Sequence, residues 1–365
     1  MLPSTERLLL GPGPSPVSSR VLAALSAPPR SHLDPDLLAL LDDIRTRLTR
    51  IFSAPEGSAV LAVSGTGTTA MEAAVSNMVE PGRRALAIVT GYFGDRLAAI
   101  MERHGAEVTR LNVEWGRAVD PGAVIAALEH QRYDIVSVVH AETSTGVRNP
   151  IEAIAPQTML HGAILIVDAV TSLGALPLRM DQTMFDVCYS CSQKGLGAPP
   201  GLSPIVFGPR ALERRVSCRN YSLDLTLLED FWMRRKYHHT ISSPLVYALA
   251  TALAEIEEEG LGARWARHES VHRQFVEGLA AIGLSVLPPE MERLWNLNAV
   301  VVPEGCQEAK VRAALLGKHS IEVGAGLGPL AGRVWRVGLM GSGATSANVE
   351  RLLSALPSAL QEGRT

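Results

Sequence analysis

The chain is poor in cysteine, in aromatic residues and in long apolar runs. Its four cysteines, Cys188, Cys191, Cys218 and Cys306, are too few to staple 365 residues, which excludes a disulfide scaffold. Phe, Tyr and Trp make up 5% of the residues, so the core must be largely aliphatic. No apolar run approaches the roughly 20 residues that span a bilayer. Met1-Leu-Pro-Ser-Thr-Glu-Arg7 has no basic segment followed by an apolar one, so no secretory signal is expected. Glu362-Gly-Arg-Thr365 is not a peroxisomal address. A net charge of −3 lacks the basic excess that nucleic acid or an anionic membrane demands of a partner. The expectation is a cytoplasmic protein with reduced thiols that binds neither nucleic acid nor membrane. Cys188-Tyr-Ser-Cys191 has the spacing of a zinc or redox pair. In a strand, however, residues three apart face opposite sides, and no second Cys/His pair lies nearby. The cysteines are therefore read as buried structural residues, with no metal site.

Aliphatic residues are plentiful: hydrophobic content is 47% and charged content 19%, the balance of a globular protein. The length is that of about two domains at ~150 residues each. Short β-branched runs alternate with helical patterns. The strand candidates are 60–63, 85–89, 135–139, 163–167, 185–188 and 204–207. They are apolar on both faces, as in a parallel sheet covered on each side. Helix candidates at 69–79, 95–104, 121–130 and 151–161 lie between them. That alternation predicts a three-layer α/β/α domain with a mostly parallel sheet over 15–259. A long helix over 245–259 ends it at Gly260. Beyond it, helices near 267–282 and 308–319 mix with strands near 299–302 and 334–337, predicting a small α+β domain over 260–365. Residues 1–14 end in Gly11-Pro-Gly-Pro14, which cannot be helix interior, and read as an arm.

Two residues carry the first chemical signal. Lys194 lies in Tyr189-Ser-Cys-Ser-Gln-Lys194-Gly-Leu-Gly-Ala-Pro-Pro-Gly201, just past a strand and among neutral neighbours. Twenty-six residues before it, Asp168 ends the run Ala163–Val167. A strand-end carboxylate and a loop lysine suit pyridoxal phosphate. The lysine holds the aldehyde as a Schiff base and the aspartate faces the ring nitrogen. Alone, the pair fits equally well a lysine in a turn and an aspartate capping a helix. Ser64-Gly-Thr-Gly-Thr-Thr69, between a strand and a helix, offers free N–H groups and hydroxyls to a phosphate. A Ser/Thr helix cap explains that segment as well. It is neither a P-loop nor a dinucleotide fingerprint.

Taken together, these segments resemble the class V aminotransferases of PLP fold type I, in particular the alanine–glyoxylate and serine–pyruvate aminotransferases of bacteria. The matching stretches are Leu10–Ser15, Ser64–Gly67, Gly91-Tyr-Phe-Gly94, His140-Ala-Glu-Thr-Ser-Thr-Gly146, Val167-Asp-Ala-Val-Thr-Ser-Leu-Gly174, Tyr189–Gly201, Tyr237-His-His-Thr240 and Trp335-Arg-Val-Gly-Leu-Met-Gly341. The resemblance implies that Lys194 is the Schiff-base residue and proton shuttle, and that Asp168 pairs with the pyridinium. It places Phe93 on the ring face, where many relatives have Trp. Thr66, Gly67, Thr68 and Gln193 fall at phosphate positions, and Thr143 reaches the ring oxygen. Tyr237 and Thr240 enter the site from a second subunit of a homodimer. Arg336 grips the substrate α-carboxylate; read without the resemblance, it is more simply an arginine on a strand in a surface ion pair. Ser31 stands near the substrate mouth.

Two departures bear on the substrate. Ser31-His-Leu-Asp-Pro35 replaces a family Gly with Ser, and Leu294-Trp-Asn-Leu-Asn-Ala299 replaces a run usually rich in Thr. His238 and His239 lack further ligands at metal spacing and read as structural residues beside the phosphate. His104, His130 and His161 end predicted helices, where they suit the negative pole of the dipole. The implied reaction is ping-pong transfer of an amino group from a small amino acid, alanine or serine, to glyoxylate or pyruvate. No second arginine for a side-chain carboxylate is identifiable. The alternatives are an (S)-ureidoglycine–glyoxylate aminotransferase, cysteine desulfuration through Cys306 in Pro303-Glu-Gly-Cys-Gln307, and a non-catalytic protein on this fold.

Overall fold

A computed structural model describes residues 6–364. Its centre is a seven-stranded sheet in the order Ala59–Gly65, Gly201–Phe207, Val187–Tyr189, Ile164–Asp168, Ile135–Val139, Arg84–Val89 and Glu107–Asn112. Only Gly201–Phe207 runs antiparallel to its neighbours. The inner strands are buried along their length, as the two-faced apolar runs require. Glu107–Asn112 was not expected as a strand. It lies at the sheet edge, is partly exposed, and carries Glu107, Thr109, Arg110 and Asn112, so it lacks the apolar signature of its neighbours.

Helices cover both faces. Pro35–Phe52, also unexpected, has a regular start: the Asp34 carboxylate accepts from the N–H groups of Asp36 and Leu37, and Pro35 occupies the first turn. Its residues Leu37, Leu41, Ile44, Leu48 and Ile51 recur at helical spacing and are buried against the sheet. Leu261–Ala281 begins six residues earlier than the pattern indicated. The cause is Arg264, a charged residue buried in its first turns. Arg264 donates to the carbonyls of Gly174 (3.0 Å) and Gly195 (2.8 Å) and pairs with Glu259 (2.7 Å). It thereby ties this helix to the Lys194 loop.

A second core surrounds the antiparallel strands Leu297–Val301, Val334–Gly338 and Gly324–Ala325. Phe275, Trp335, Leu352 and Leu356 pack there, the last two from the helix Ser346–Arg364. The arm is part of this unit. Leu8 and Leu9 pair in parallel with Ile321 and Glu322, Leu10 enters the core, and Gly338 N–H donates to the Leu10 carbonyl at 2.8 Å. No helix among the described residues is long and apolar enough to cross a membrane.

Candidate active site

The parallel strands end in a cleft of about 170 Å3. Thr66, Gly67, Thr68, Phe93, Thr143, Asp168, Gln193 and Lys194 all line it, together with Met71, Arg96, Val139 and Val170. Register explains the convergence. Asp168 is paired with Val139 on one side and Tyr189 on the other, so three strand ends stand level. Ligands of open α/β sheets collect outside such carboxyl ends.

Asp168 is 3% exposed. It accepts from Val170 N–H at 2.8 Å and from the Tyr189 hydroxyl at 3.0 Å. Burial pushes its pKa up to about 7, and the charge of Glu142 adds to the rise. A carboxylate so placed is stabilised by a cation brought against it. Tyr189 and Glu142 were not expected as site residues. Tyr189 was legible in hindsight as the strand residue paired with Asp168. Glu142 is fully buried and collects the N–H groups of Gly94 (3.1 Å), Phe93 (3.4 Å) and Ser144 (3.1 Å). It thus caps the helix Tyr92–Arg103 and fixes Phe93 at its start. The signal was a carboxylate inside a run of small polar residues.

Lys194 is held from several sides. Its Nζ donates to the Pro12 carbonyl, and its own carbonyl accepts from Ser15 Oγ at 2.9 Å. Gly13, at φ +122°, passes so close that a Cβ there would lie 2.7 Å from Lys194 Cε. Burial lowers the lysine pKa, and the positive charge of Arg336 pushes the same way. Arg336 does not line the cleft itself. It is 8% exposed on the strand Val334–Gly338, and burial lowers its pKa to about 10. Its Nε donates to the Ala325 carbonyl at 2.6 Å, and its two Nη groups meet no acceptor among the described residues. Among the described residues no carboxylate pairs with it, which leaves its guanidinium fork free.

The other end of the cleft bears on Ser64–Thr69. Thr66 stands at the N-cap of the helix Gly67–Met78, yet its side chain makes no capping bond. The N–H groups of Gly67 and Thr68 stay free, which a helix start uses to bind an anion. Gly65 is required here: at φ +144°, a Cβ would lie 2.3 Å from Thr69 Oγ1. Gln193 Oε1, buried, also has no partner.

Besides Arg336, three expected residues are not brought to the cleft. Tyr237 is 65% exposed and packs against the His32 ring at 5.3 Å. Thr240 is exposed, as is Ser31, whose hydroxyl accepts from Leu33 N–H before a helix start. His239 binds Ser64 Oγ at 2.7 Å and His238 stacks on Tyr221. Of the helix-end histidines, His161 Nδ1 bonds the Gln157 carbonyl at 2.9 Å, whereas His104 turns to Glu72 at 2.6 Å. Asn296 Nδ2 donates to the Thr171 carbonyl, and Thr171 Oγ1 meets Thr143 Oγ1 at 2.6 Å. The unusual asparagine therefore supports the cleft wall from behind. Cys306 packs beside Gly363 and the small-domain core, away from the cleft.

The sequence that builds this lysine, aspartate and cradle at the strand ends matches a known family model. The model for aminotransferase class V covers residues 19–352. The chain belongs to the class V aminotransferases. The alanine–glyoxylate aminotransferase of Drosophila melanogaster is 37% identical, with 98% of this chain and 93% of that protein aligned. A crystal structure of alanine–glyoxylate aminotransferase from Nostoc sp. superposes with a TM-score of 0.94 at 44% identity, covering 99% of this chain and 97% of that one. The ureidoglycine–glyoxylate aminotransferase of Bacillus subtilis superposes at 0.96 with 32% identity, covering 100% and 95%. Class V aminotransferases use pyridoxal 5′-phosphate, and the residues present fit it. A buried carboxylate lacking a cation, a half-buried lysine and free helix N–H groups are the complement of its ring nitrogen, aldehyde and phosphate.

Proposed function

We propose that this class V aminotransferase takes the amino group of alanine or serine and passes it to glyoxylate or pyruvate in two half-reactions at the Lys194 cleft. The free fork of Arg336, coupled to Lys194, is the observation that carries the reading. An amino acid and a 2-oxo acid share one feature, a carboxylate beside the reacting carbon. A buried bidentate guanidinium fixes that carboxylate and hence the carbon.

When bound, pyridoxal phosphate supplies a carbonyl for the amine and a ring that spreads the charge left on the substrate α-carbon. Asp168 keeps positive charge at the ring nitrogen, its carboxylate oriented by Tyr189 and Val170 N–H. Lys194, whose charged form burial disfavours, would be the group that takes the α-proton and returns it. Phe93 would cover one ring face and Thr143 would face the ring oxygen; Gln193, Thr66, Thr68 and the helix N–H groups would hold the phosphate. Tyr237 and Thr240, exposed on the single chain, complete the site of a second copy in a homodimer. The large domain spans 15–259 and the small domain 260–365, in a cytoplasmic enzyme.

The Bacillus subtilis relative supports a second donor, (S)-ureidoglycine with glyoxylate as acceptor, because its likeness extends over the whole chain. Cysteine desulfuration has no support: Cys306 stands away from the cleft and burial raises its thiol pKa. Visible absorbance of the cofactor-loaded protein tests the proposal. Alanine should bleach the yellow band and glyoxylate restore it. A band that alanine and serine leave untouched, but ureidoglycine bleaches, transfers the assignment to the second donor.

A further inference from the structure

Arg96 is a charged residue of the cleft that the reaction described above does not use. It lies three residues after Phe93 on the helix Tyr92–Arg103, a spacing that puts both on one face. Its Nη1 donates to Thr68 Oγ1 at 3.0 Å, and its guanidinium carbon lies 4.9 Å from the Phe93 ring centre and 5.2 Å from that of Tyr92. Among the residues lining the cleft, only Lys194 and Arg96 are cationic. No carboxylate pairs with Arg96 among the described residues, and the adjacent Asp95 is turned to Arg110 at 3.1 Å. An arginine without an acid partner, bonded to the first turn of a helix whose N–H groups are free, stands where a dianion has its largest unmet need. Lys194 cannot meet that need while it is committed to the aldehyde.

We propose that Arg96 is the charge partner of the cofactor phosphate within one subunit, acting directly and through Thr68, and that it braces Phe93 from the face turned away from the cofactor. The inference rests on the cofactor reading of the cleft and extends it. Neutral donors from Thr66, Thr68, Gln193 and the helix give the phosphate shape; Arg96 gives it charge. The cation–π contact on Phe93 then links phosphate grip to the position of the ring-stacking residue. This matters most with Phe at that position, because its face is smaller than that of Trp.

The test compares two cofactors that differ only by the phosphate. Dissociation constants of PLP and of pyridoxal are measured on the apoprotein by absorbance and by equilibrium dialysis, for the native chain, Arg96→Gln and Arg96→Lys. Arg96→Gln should weaken PLP by about tenfold to a hundredfold, the worth of a charged contact, and leave pyridoxal nearly unchanged. Arg96→Lys should recover most of the PLP affinity, since it restores charge without the planar stack. Equal loss for both cofactors in Arg96→Gln would mean that Arg96 supports only Phe93 or the fold, and would overturn the proposal. No loss for either would overturn it as well. A native chain that takes up neither cofactor sinks the cofactor reading itself, an outcome distinct from the other two.

Discussion

The two ends of the cleft are built to different degrees of completion. At the Asp168 end the chain itself supplies the carboxylate's donors and their support: Tyr189 and Val170 donate to the carboxylate, Thr171 meets Thr143, and Asn296 holds Thr171 from behind. At the Thr66 end the groups are present but idle: an unused N-cap hydroxyl, two free N–H groups and an arginine without an acid. The closed end fixes electronic character, which must hold through every turnover and is therefore preorganised. The open end fixes a ligand, and keeps its hydrogen bonds for it. Satisfying those donors internally would make each of them costlier to recruit.

Lys194 joins the two ends, and its loss gives the largest effect. Lys194→Ala should lower turnover by about 10⁴-fold or more, read by steady-state assay with alanine and glyoxylate. Activity within tenfold of native would remove the basis for treating the two ends as one site.

Asp168→Asn should separate the ends. Turnover should fall by about 10²- to 10³-fold with PLP affinity only slightly changed, because the phosphate end is untouched. The apoprotein should respond in the opposite sense. Folded Asp168 titrates near 7 against 3.8 in an open chain. Between those values the folded state holds a proton that the unfolded state has lost, so stability falls as pH rises through that window. Asparagine abolishes this slope, a gain of at most about 4 kcal/mol above pH 7 at 1.36 kcal/mol per unit. Thermal melts of both apoproteins at pH 5 and pH 8 decide it: parallel shifts would show that Asp168 is charged and satisfied without a cation.

A smaller effect belongs to the open end. If Tyr237 and Thr240 reach a partner's phosphate, dilution below the dimer dissociation constant should weaken PLP about tenfold, while the bound spectrum of the remaining holoenzyme stays the same. Gel filtration combined with dialysis at matched concentrations reads it. A monomer with undiminished affinity would mean that one chain completes its own phosphate site.

The closed end was largely legible in the sequence, and the open end less so. Asp168 and Lys194 follow apolar strand runs, and strand periodicity locates them. Arg336 was visible on its strand, but whether it was paired depended on the distant Ala325 and on an acid that proved to be absent. Arg96 was invisible, since nothing in Gly-Asp-Arg-Leu says that Asp95 will choose Arg110 and leave Arg96 free. The same limit hid Glu107–Asn112, where edge polarity overrides the core pattern, and the early start of the helix carrying Arg264, whose burial depends on two carbonyls far away in the chain. What escaped was tertiary pairing; what was read was local periodicity.

The arm gives the molecule an order of assembly. Residues 8–15 leave the ribosome long before Lys194, and longer still before Ile321, Glu322 and Gly338, to which they are bonded. The earlier-made segment must therefore wait for the later-made strands before it can lie across the lysine. A nascent chain can complete the central sheet during synthesis and still be catalytically unfinished. A product truncated before Ile321, with an intact sheet and an intact Lys194, is therefore expected to be inactive.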